Sequence, residues 1–414
     1  MSYAQKTEAA ELALSASIQP IEIDYSVIRA SKKQKTVFGA RKRKLHRMRL
    51  IKNAIVILKL YRTPGRVLRI LNLIRQRRNA IAGGNNVYKV VSIANKHYWR
   101  INIPAWESPF FETFLQSELH RLEPHNNSKH RLTLTYLAIT KKCPLKCEHC
   151  FEWDNLNKKE KISTANIDTM IENLQSIGST NIAFTGGEPM LRVKEMIDAI
   201  NKYKDNSAFW ILTSGFNFTS ENAHALKVAG LTGVIVSIDH HDPYQHDVFR
   251  RTEGSFRDAL TAVKFGIEND FVTAISTCIT QSNATREYLD TFMRFAKDLG
   301  VGFVQFLEPK PIGHYAMKNV MLKAEQLKLL EEVFLSYNKE AAYRDFPIIV
   351  YHGYYQRRVG CMASGNRMVY VDTNGDFMKC PFCHKKSGSL LDENFESMIN
   401  EMNVDSCSDF GSFG

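Results

Sequence analysis

Short apolar runs typical of buried strands recur six times between residues 131 and 338, and each is followed by a stretch with helical spacing. The runs are LTLTYLAIT, NIAFT, FWILTS, GVIVSID, VTAISTCIT and GFVQFLE. Six successive βα units predict an α/β domain in which a parallel sheet curves toward a barrel, with functional residues at the carboxyl ends of its strands. Because a closed barrel needs eight units, we expect a partial (β/α)6 TIM-like barrel with a lateral opening.

Residues 1–130 have a different pattern, which predicts a basic N-terminal extension made of helices and a hairpin. Helical spacing in RKRKLHRMRLIKNAIVILKLYR is interrupted at Pro64-Gly65 and resumes in RVLRILNLIRQRR. The apolar residues predicted to share one face of the second helix are Val67, Leu68, Leu71 and Ile74. The segment NNVYKVVSIANKHYWRINI then alternates like a hairpin. Such helices either lie on an anionic bilayer or pack their apolar face against the rest of the chain.

Residues 339–414 are predicted to form a small C-terminal module. The strand-like runs RMVYVD and DFMKC are separated by Thr373-Asn374-Gly375, and Asn-Gly is a strong hairpin signal because it supplies the positive φ that such turns need. Cysteines flank this hairpin on both sides. We therefore expect a module that is held together by bound metal.

The composition is that of a globular protein, since 44% of the 414 residues are hydrophobic and 24% are charged. A chain of this length predicts two or three domains. No run of about 18 uncharged apolar residues occurs, and the first residues lack the basic flank and apolar block of a signal peptide. We therefore expect a cytoplasmic protein.

Charge is distributed unevenly along the chain. The net charge is +12, yet residues 25–106 contain 21 Lys and Arg residues and no Asp or Glu, whereas the remainder has a net charge of −9. A basic segment joined to an acidic body predicts an anionic partner, either phospholipid, nucleic acid or an acidic protein. Peripheral contact with the inner surface of an anionic membrane is one expectation, and a solvated basic extension without a partner is the alternative.

Eight cysteines without an export signal favour thiolate metal ligands in a reducing compartment over a disulfide framework. Cys143, Cys147 and Cys150 lie in one loop directly after the first predicted barrel strand. Three thiolates are one fewer than a closed zinc site or a fully protein-ligated [4Fe–4S] cluster requires, which leaves an open coordination position. The triplet alone is compatible with either metal.

The spacing Cys-x3-Cys-x2-Cys after the first strand of a (β/α)6 barrel resembles the radical S-adenosylmethionine (SAM) superfamily. Thr185-Gly186-Gly187-Glu188-Pro189, which follows the second strand, is similar to the GGEP motif of that superfamily. The resemblance implies a [4Fe–4S] cluster on the three cysteines, with SAM at its open iron. It also implies that the two glycines permit close backbone approach and that Glu188 binds the SAM amino group.

Residues around the fourth predicted strand and the cysteine loop extend the resemblance. Ser237 and Asp239 resemble positions near the SAM ribose, and Arg250 resembles one that pairs with the SAM carboxylate. His149 stands before the third cysteine, where the family usually has an aromatic residue that faces adenine. An imidazole can also stack on a purine, so His149 is a candidate cofactor contact.

The C-terminal cysteines resemble the SPASM and twitch extensions, which hold auxiliary iron–sulfur clusters. Cys361, Gly375 and Cys380 match the spacing C-x(9–15)-G-x4-C with which these extensions begin. A full SPASM extension has seven cysteines, whereas those available here are Cys361, Cys380, Cys383 and Cys407. The resemblance therefore implies one auxiliary cluster, with Cys407, His384 or the substrate as its fourth ligand. Zinc bound by four thiolates is the alternative.

Further polar residues follow predicted strands and are candidates for the substrate pocket, although capping and packing explain residues at such positions equally well. They are Glu152, Trp153, Asp154, Asn155, His240, His241, Glu308, His314 and Tyr315. Cys278 lies within the fifth predicted strand and is interpreted as a small buried hydrophobic residue.

The resemblance implies a radical SAM enzyme. A flavodoxin or ferredoxin-type donor would reduce the cluster, which cleaves SAM to methionine and a 5′-deoxyadenosyl radical, and the radical would remove hydrogen from an unactivated carbon. The C-terminal extension favours a peptide or protein substrate. A lipid or other membrane-associated substrate is the enzymatic alternative. A non-enzymatic zinc protein that binds nucleic acid is the alternative of another class, although it gives the GGEP motif no role.

Overall fold

The structure, a computed structural model, describes residues 18–20, 22–25, 30–82, 89–125, 132–361 and 367–402. The strands within them are β1 (Lys35–Val37), β2 (Val90–Ile93), β3 (Lys96–Tyr98), β4 (Leu134–Thr140), β5 (Asn181–Gly186), β6 (Ala208–Thr213), β7 (Gly233–Ser237), β8 (Val272–Cys278), β9 (Phe303–Leu307), β10 (Ile348–Tyr351), β11 (Met368–Val371), β12 (Asp376–Met378) and β13 (Lys386–Ser389).

The α-helices within the same ranges are α1 (Gly39–Tyr61), α2 (Pro64–Ala82), α3 (Phe110–His120), α4 (Thr164–Ser176), α5 (Val193–Tyr203), α6 (Ser220–Ala229), α7 (Pro243–Arg250), α8 (Ser255–Glu268), α9 (Arg286–Leu299), α10 (Ala324–Lys339), α11 (His352–Val359) and α12 (Phe395–Glu401). Short 3-10 helices lie at Pro189–Arg192, Gly313–Tyr315 and Ala341–Tyr343.

Ten strands form the central sheet in the order β10-β9-β8-β7-β6-β5-β4-β11-β12-β13. The six predicted barrel strands are β4 to β9, and each pairs in parallel with the next. Two further strands extend the parallel order, since β10 pairs with β9 and β11 pairs with β4. The linear strand order leaves the sheet open, which agrees with the predicted partial barrel.

The two faces of the barrel strands are covered by different parts of the chain, as expected for a parallel sheet. Side chains such as Phe184 and Phe209 belong to the large outer core, which also contains the apolar faces of the barrel helices. Alternate residues such as Ala183 and Trp210 face the other way and belong to a second cluster. Residues of the strands are thus buried on both sides.

The second cluster shows what covers the concave face of the sheet. It contains Val91, Ile93, Tyr98 and Ile101 from the N-terminal extension, packed against the amino-terminal halves of the barrel strands. The predicted hairpin is confirmed as β2 and β3, and β1 pairs with β2 as a third antiparallel strand.

Gln34, directly before β1, fixes this extension to the amino ends of β8 and β9. Its side-chain N–H donates to the Phe271 carbonyl oxygen at 2.5 Å, and its Oε1 accepts from the Gly302 N–H at 3.1 Å. The backbone N–H of Gln34 also donates to the Gly300 carbonyl oxygen at 2.9 Å. The extension therefore closes the amino end of the barrel and leaves the carboxyl ends of the strands accessible.

The predicted pair of basic helices is confirmed, because α1 ends at Tyr61 and α2 begins at Pro64. The predicted apolar face of α2 differs from the buried one. Ile70 is fully buried, whereas Leu68 and Leu71 are 68% and 46% exposed. Ile70 packs with Tyr61 and Leu119 because α2 lies against α1 and α3. This tertiary contact, rather than the helical spacing, selects the buried face.

The predicted C-terminal hairpin is confirmed as β11 and β12, with Gly375 at φ 84° in the turn. Leu391 lies so close that a Cβ at Gly375 would be 2.7 Å from its side chain. Since β11 pairs in parallel with β4, the hairpin continues the barrel sheet at the edge next to the cysteine loop. Within the described part of the chain, no helix is long and apolar enough to cross a bilayer.

Candidate active site at the carboxyl ends of the barrel strands

A cavity of about 1300 Å³ lies against the concave face of the sheet and reaches the carboxyl ends of its strands. The predicted site residues that line it are Cys143, Cys147, His149, Cys150, Gly186, Gly187, Glu188, Ser237, Arg250, Cys361, Cys380 and Cys383. Pro189 and Asp239 are not among the residues that line the cavity, and Cys407 lies outside the described residues. The structure therefore brings both groups of cysteines to one cavity.

The loop that carries the three barrel cysteines is fixed mainly through its backbone. The Asn157 side chain accepts from the Cys143 N–H at 3.0 Å and donates to the Cys143 carbonyl oxygen at 3.0 Å. The Glu148 N–H donates to the Phe249 carbonyl oxygen at 3.0 Å. Because these bonds use backbone atoms and an amide, all three thiols remain available as ligands.

The two glycines of the GGEP motif allow the next strand end to approach this loop. A Cβ at Gly186, where φ is 122°, would lie 2.3 Å from the Thr140 carbonyl oxygen. A Cβ at Gly187 would lie 2.2 Å from the Lys142 carbonyl oxygen. Neither position has room for a side chain, so the glycines are required for packing against the cysteine loop.

Gly313 and His314 hold the loop from the far side of the barrel mouth. The His314 N–H donates to the Cys150 carbonyl oxygen at 2.9 Å, and its Nδ1 lies 3.0 Å from the Cys147 carbonyl oxygen. A Cβ at Gly313, where φ is 57°, would lie 2.3 Å from the Cys150 carbonyl oxygen. The sequence marked His314 as a pocket candidate, whereas its contacts assign it to positioning the loop.

Burial dominates the electrostatics of the barrel cysteines. It raises the pKa of Cys143 to about 12 and also raises the pKa values of Cys147 and Cys150. The thiolates of Cys143 and Cys147 raise the pKa of Cys150 further. Arg250 acts in the opposite direction, because its guanidinium donates to Cys147 Sγ at 3.5 Å.

Glu188 is buried and accepts hydrogen bonds on both carboxylate oxygens. Oε1 accepts from Thr213 Oγ1 at 2.7 Å and from the Met190 N–H at 3.1 Å. Oε2 accepts from the Ser214 N–H at 2.8 Å and from Ser214 Oγ at 2.6 Å. Burial raises the pKa of this carboxyl, although the hydrogen bonds lower it. The carboxylate is thereby fixed at the cavity wall beside Gly187.

Asp239 and Arg250 form a buried ion pair next to Cys147. Arg250 donates through Nε at 2.7 Å and Nη2 at 2.6 Å to Asp239 Oδ2, and Asp239 Oδ1 accepts from the Cys278 N–H at 2.9 Å. Burial alone would raise the pKa of Asp239, but the guanidinium lowers it, so the pair stays charged. Arg250 thus contacts both a carboxylate and a cysteine ligand candidate.

The residues next to this ion pair make structural contacts. Asp247 accepts from the Gly254 N–H at 2.7 Å and the Phe256 N–H at 2.7 Å, which caps the start of α8. His246 Nδ1 accepts from the Asp239 N–H at 3.1 Å, and burial lowers the pKa of His246 to about 3. These contacts position the ion pair rather than line the cavity.

The histidines flagged in the sequence differ in their surroundings. His149 stacks on Phe249 with ring centroids 4.9 Å apart, and burial lowers its pKa to about 4. Its Nδ1 is buried and has no hydrogen-bond partner among the described residues. His240 and His241 instead stack on each other at 4.6 Å and are not among the residues that line the cavity.

Cys361, Cys380 and Cys383 reach the cavity from the C-terminal side. The Cys383 N–H donates to the Cys380 carbonyl oxygen at 3.1 Å, and Cys361 Sγ accepts from Gln356 Nε2 at 3.7 Å. Phe382, between two of them, contacts Phe151 with ring centroids 6.2 Å apart. Within the described residues, no three Cys, His, Asp or Glu side chains are grouped closely enough to hold a single metal ion.

The remaining pocket candidates make contacts within the protein. Tyr370 donates to Glu152 at 2.6 Å, and Tyr315 donates to Glu148 at 3.0 Å. Glu308 accepts from Tyr351 at 2.6 Å. The indole of Trp153 lies parallel to the His314 ring at 3.9 Å. Cys278 is buried, as predicted, but it also reaches the cavity wall.

Comparisons with known proteins agree with this geometry. Residues 137–296 match the protein-family model described as the Radical SAM superfamily. The chain is 25% identical over 214 residues to a GTP 3′,8-cyclase of Aquifex aeolicus strain VF5, covering 50% of this chain and 66% of the relative. It is 27% identical over 147 residues to an AdoMet-dependent heme synthase of Nitratidesulfovibrio vulgaris Hildenborough, covering 35% of this chain and 40% of the relative.

Solved structures show the same fold. SuiB of Streptococcus suis, bound to SAM, superposes with a TM-score of 0.53 at 14% identity, over 70% of this chain and 71% of that chain. The enzyme anSMEcpe, bound to AdoMet, superposes with a TM-score of 0.52 at 18% identity, over 65% and 81%. The predicted partial barrel is confirmed by these superpositions, and residues 137–296, which match the Radical SAM superfamily model, lie within it.

Proposed function

We propose that this chain is a radical SAM enzyme that acts on a peptide or protein. The proposal rests on one observation. The same cavity is lined by Cys143, Cys147, Cys150, Glu188 and Arg250, all of which lie in the region that matches the Radical SAM superfamily model. The chain spans 66% and 40% of the two curated relatives, so their activities are guides to chemistry and not to substrate.

The barrel cysteines fit a [4Fe–4S] cluster with one open position. The three thiols interact electrostatically and project from a loop whose backbone is already anchored, so Cys143, Cys147 and Cys150 would hold the cluster. Close by, His149 Nδ1 is a buried polar atom without a partner among the described residues, which suits a bound cofactor.

When bound, the cluster and SAM supply reductive cleavage of SAM and a radical that abstracts hydrogen from carbon. The residues of the chain bind and orient these groups and exclude water. The carboxylate of Glu188 is held rigidly enough to bind the SAM ammonium, and Ser237 offers a hydroxyl to the same cavity. Arg250 keeps a positive charge beside Cys147, which stabilises a thiolate at that position.

Cys361, Cys380 and Cys383 would hold the auxiliary cluster, because all three line the cavity that the barrel cysteines share. Cys407 remains the candidate fourth ligand. The basic extension offers a docking surface to an acidic flavodoxin or ferredoxin as electron donor.

Two observations favour a peptide or protein substrate. The cavity of about 1300 Å³ exceeds the usual range of small-molecule pockets, roughly 300–1,000 Å³, and it would hold the two clusters, SAM and a segment of the substrate together. Proteins of the same fold bind peptides: SuiB has been solved with its precursor peptide SuiA, at a TM-score of 0.54, and anSMEcpe with a Kp18Cys peptide.

Anaerobic reconstitution tests the enzymatic proposal. We expect a brown protein with about eight irons, as two [4Fe–4S] clusters require, that forms 5′-deoxyadenosine from SAM when reduced. A protein with stoichiometric zinc, little iron and no SAM cleavage would instead support the zinc protein of another class and overturn the proposal.

A second candidate, action on a membrane-associated substrate, is favoured by the exposed face of α1. Met48, Ile51, Ile55 and Leu58 are spaced three or four residues apart and are 58%, 63%, 49% and 57% exposed. Arg and Lys residues surround them, and residues 25–106 contain no acidic residue. Charge complementarity and the apolar row together fit the surface of an anionic bilayer.

Vesicle flotation with point variants tests this contact. Because Gln34 and β1 fix the amino end of the barrel, deleting the extension would disturb the fold, so I51S/I55S/L58S is the better variant. We expect the wild type to float with vesicles that contain phosphatidylglycerol at low salt, and the triple variant not to. V228S removes a side chain that is 67% exposed on α6 and serves as the matched control. Equal flotation of all three proteins, or none by the wild type, would eliminate the membrane candidate.

A further inference from the structure

The N-terminal extension supplies a polar patch deep in the cavity. Arg100 and Asn102 follow β3 and line the cavity together with Tyr136 of β4. Ile101, between them, packs against the concave face of the barrel sheet and fixes the segment there. We call Arg100, Asn102 and Tyr136 the cavity floor, since they lie toward the amino ends of strands whose carboxyl ends carry the cysteines.

Arg100 presents a guanidinium that forms no ion pair with a carboxylate among the described residues. Its Nη2 donates to His352 Nδ1 at 2.8 Å, and its guanidinium lies 5.3 Å from the centre of the Tyr355 ring. Burial lowers the pKa of His352 to about 3, with the charge of Arg100 adding to the effect, so this histidine is a neutral acceptor. Two neutral groups therefore orient Arg100, and Glu118 acts on its charge only through space, without an ion pair.

Asn102 adds an incomplete hydrogen-bonding group to the same floor. It is only 7% exposed and its backbone has φ 55°, a left-handed conformation that Asn tolerates better than most residues. Its amide N–H donates to the Tyr136 hydroxyl at 3.3 Å. Its Oδ1 is buried without a partner among the described residues. Leaving such an atom unsatisfied is costly, so the site is shaped for a ligand that completes it.

The charge of the whole cavity agrees with an anionic ligand. Among the described residues, eight basic residues and three carboxylates line it. The carboxylates already have partners: Glu118 pairs with Arg367 at 2.8 Å, Glu308 pairs with Arg357 at 2.7 Å, and Glu188 accepts four hydrogen bonds. Apart from the cysteines at the strand ends, the lining residues therefore carry a net positive charge, and Arg100 places part of it at the cavity floor.

We propose that the cavity floor is the substrate-anchoring subsite, in which Arg100 binds an oxyanion of the substrate and Asn102 binds an adjacent N–H or O–H. The oxyanion is a carboxylate or a phosphate, both of which match the fork of a guanidinium. This inference rests on the proposed function in one respect, because both require that the substrate binds in this cavity. It gives the N-terminal extension a role in substrate recognition.

Anion binding can be measured without turnover. Full-length reconstituted protein is titrated by calorimetry with N-acetylglycine, which pairs a carboxylate with an N–H, and separately with inorganic pyrophosphate. We expect at least one probe to bind, and R100Q to weaken it about tenfold or more, since a charge-assisted hydrogen bond is lost. The probe that binds more tightly shows whether the oxyanion of the substrate is a carboxylate or a phosphate. R75Q, which changes an exposed arginine of α2 that does not line the cavity, should bind as the wild type does.

Protection of Arg100 from chemical modification gives a second measurement on the wild type. Phenylglyoxal modifies accessible guanidinium groups, and mass spectrometry locates the adduct. The bound probe should protect Arg100 and not Arg75. The proposal is overturned when neither probe binds, when R100Q with normal iron content binds as the wild type does, or when Arg100 is not protected. Because these measurements need no SAM cleavage, they fail independently of the proposed enzymatic activity.

Discussion

The two cysteine groups share a cavity but are held in different ways. Contacts to the barrel loop come from distant parts of the chain: Asn157 is 14 residues from Cys143, and His314 is 167 residues from Cys147. The hydrogen bonds of the C-terminal group are local. Gln356, which donates to Cys361, is five residues away from it, and the Cys383 N–H donates to the Cys380 carbonyl oxygen within one turn.

The difference indicates that the barrel fold itself prepares the first site. Its loop is fixed by hydrogen bonds with Asn157, Phe249 and His314, whereas the second group follows a helix and a short hairpin and has few contacts of this kind among the described residues. Phe382 against Phe151 is a packing contact between the two regions. We therefore expect the second site to be removable without loss of the first, and the first to be sensitive to backbone changes at its neighbours.

The largest effect should follow removal of the barrel thiols. In C143A/C147A/C150A we expect the iron content to fall by about half and reductive SAM cleavage to be abolished, because the open-site cluster loses every ligand that the loop provides. Iron analysis and 5′-deoxyadenosine detection check this. Retention of SAM cleavage would show that the two regions have been assigned the wrong way round.

The next largest effect should come from a single methyl group. In G187A the new Cβ would lie 2.2 Å from the Lys142 carbonyl oxygen, so the loop backbone must shift. Overpacking of this kind costs about 1–3 kcal/mol, and we expect much of the barrel-site iron to be lost. G65A is the control, since a Cβ there meets no atom within 4 Å. A G187A protein with the iron content and melting temperature of the wild type would refute the claim that the loop depends on close approach.

Removal of the C-terminal thiols should have a narrower effect. In C361A/C380A/C383A we expect the other half of the iron to be lost while some uncoupled SAM cleavage remains, because SAM binds only at the barrel site. The same iron and product analyses apply. Complete loss of both clusters in this variant would mean that the sites are not separable.

The smallest of these effects concerns SAM recognition. In E188Q we expect SAM affinity to fall about tenfold with unchanged iron, since a charge-assisted hydrogen bond of about 1.5–3 kcal/mol is lost. S214A is the comparison variant, because it removes one hydrogen bond to Glu188 and keeps the carboxylate charge. Equilibrium binding of SAM should therefore rank wild type, S214A and E188Q in decreasing affinity. An E188Q protein that binds SAM as tightly as the wild type would disprove this role of Glu188.

The parts of the molecule that could be predicted from the sequence are those set by local pattern. Apolar runs with intervening helical spacing gave β4 to β9, and Asn374-Gly375 marked the C-terminal hairpin. The apolar run Ile348–Tyr351, which the sequence analysis placed in the C-terminal segment, joins the barrel sheet as β10. Four consecutive apolar residues are a strand signal. The strand was nevertheless not assigned to the barrel, because it is short and follows the predicted core.

The parts that could not be predicted depend on contacts between distant segments. No local pattern shows that Gly313 and His314 pack against the cysteine loop. Nor does one show that the β2–β3 hairpin packs on the concave face of the barrel sheet and places Arg100 in the cavity. The buried face of α2 was predicted only in part for the same reason, since Val67 and Ile74 pack inward whereas Leu68 and Leu71 are exposed. Helical spacing limits the choice of faces, but the packing of Ile70 on Tyr61 decides between them.

Electron paramagnetic resonance of the reduced protein, recorded with and without SAM, tests most directly whether the barrel loop is the SAM-binding site. We predict that SAM changes the spectrum of the wild type and of C361A/C380A/C383A, and leaves the spectrum of C143A/C147A/C150A unchanged. A spectrum that responds to SAM in the protein without barrel cysteines, or a wild-type spectrum that does not respond, would contradict the account.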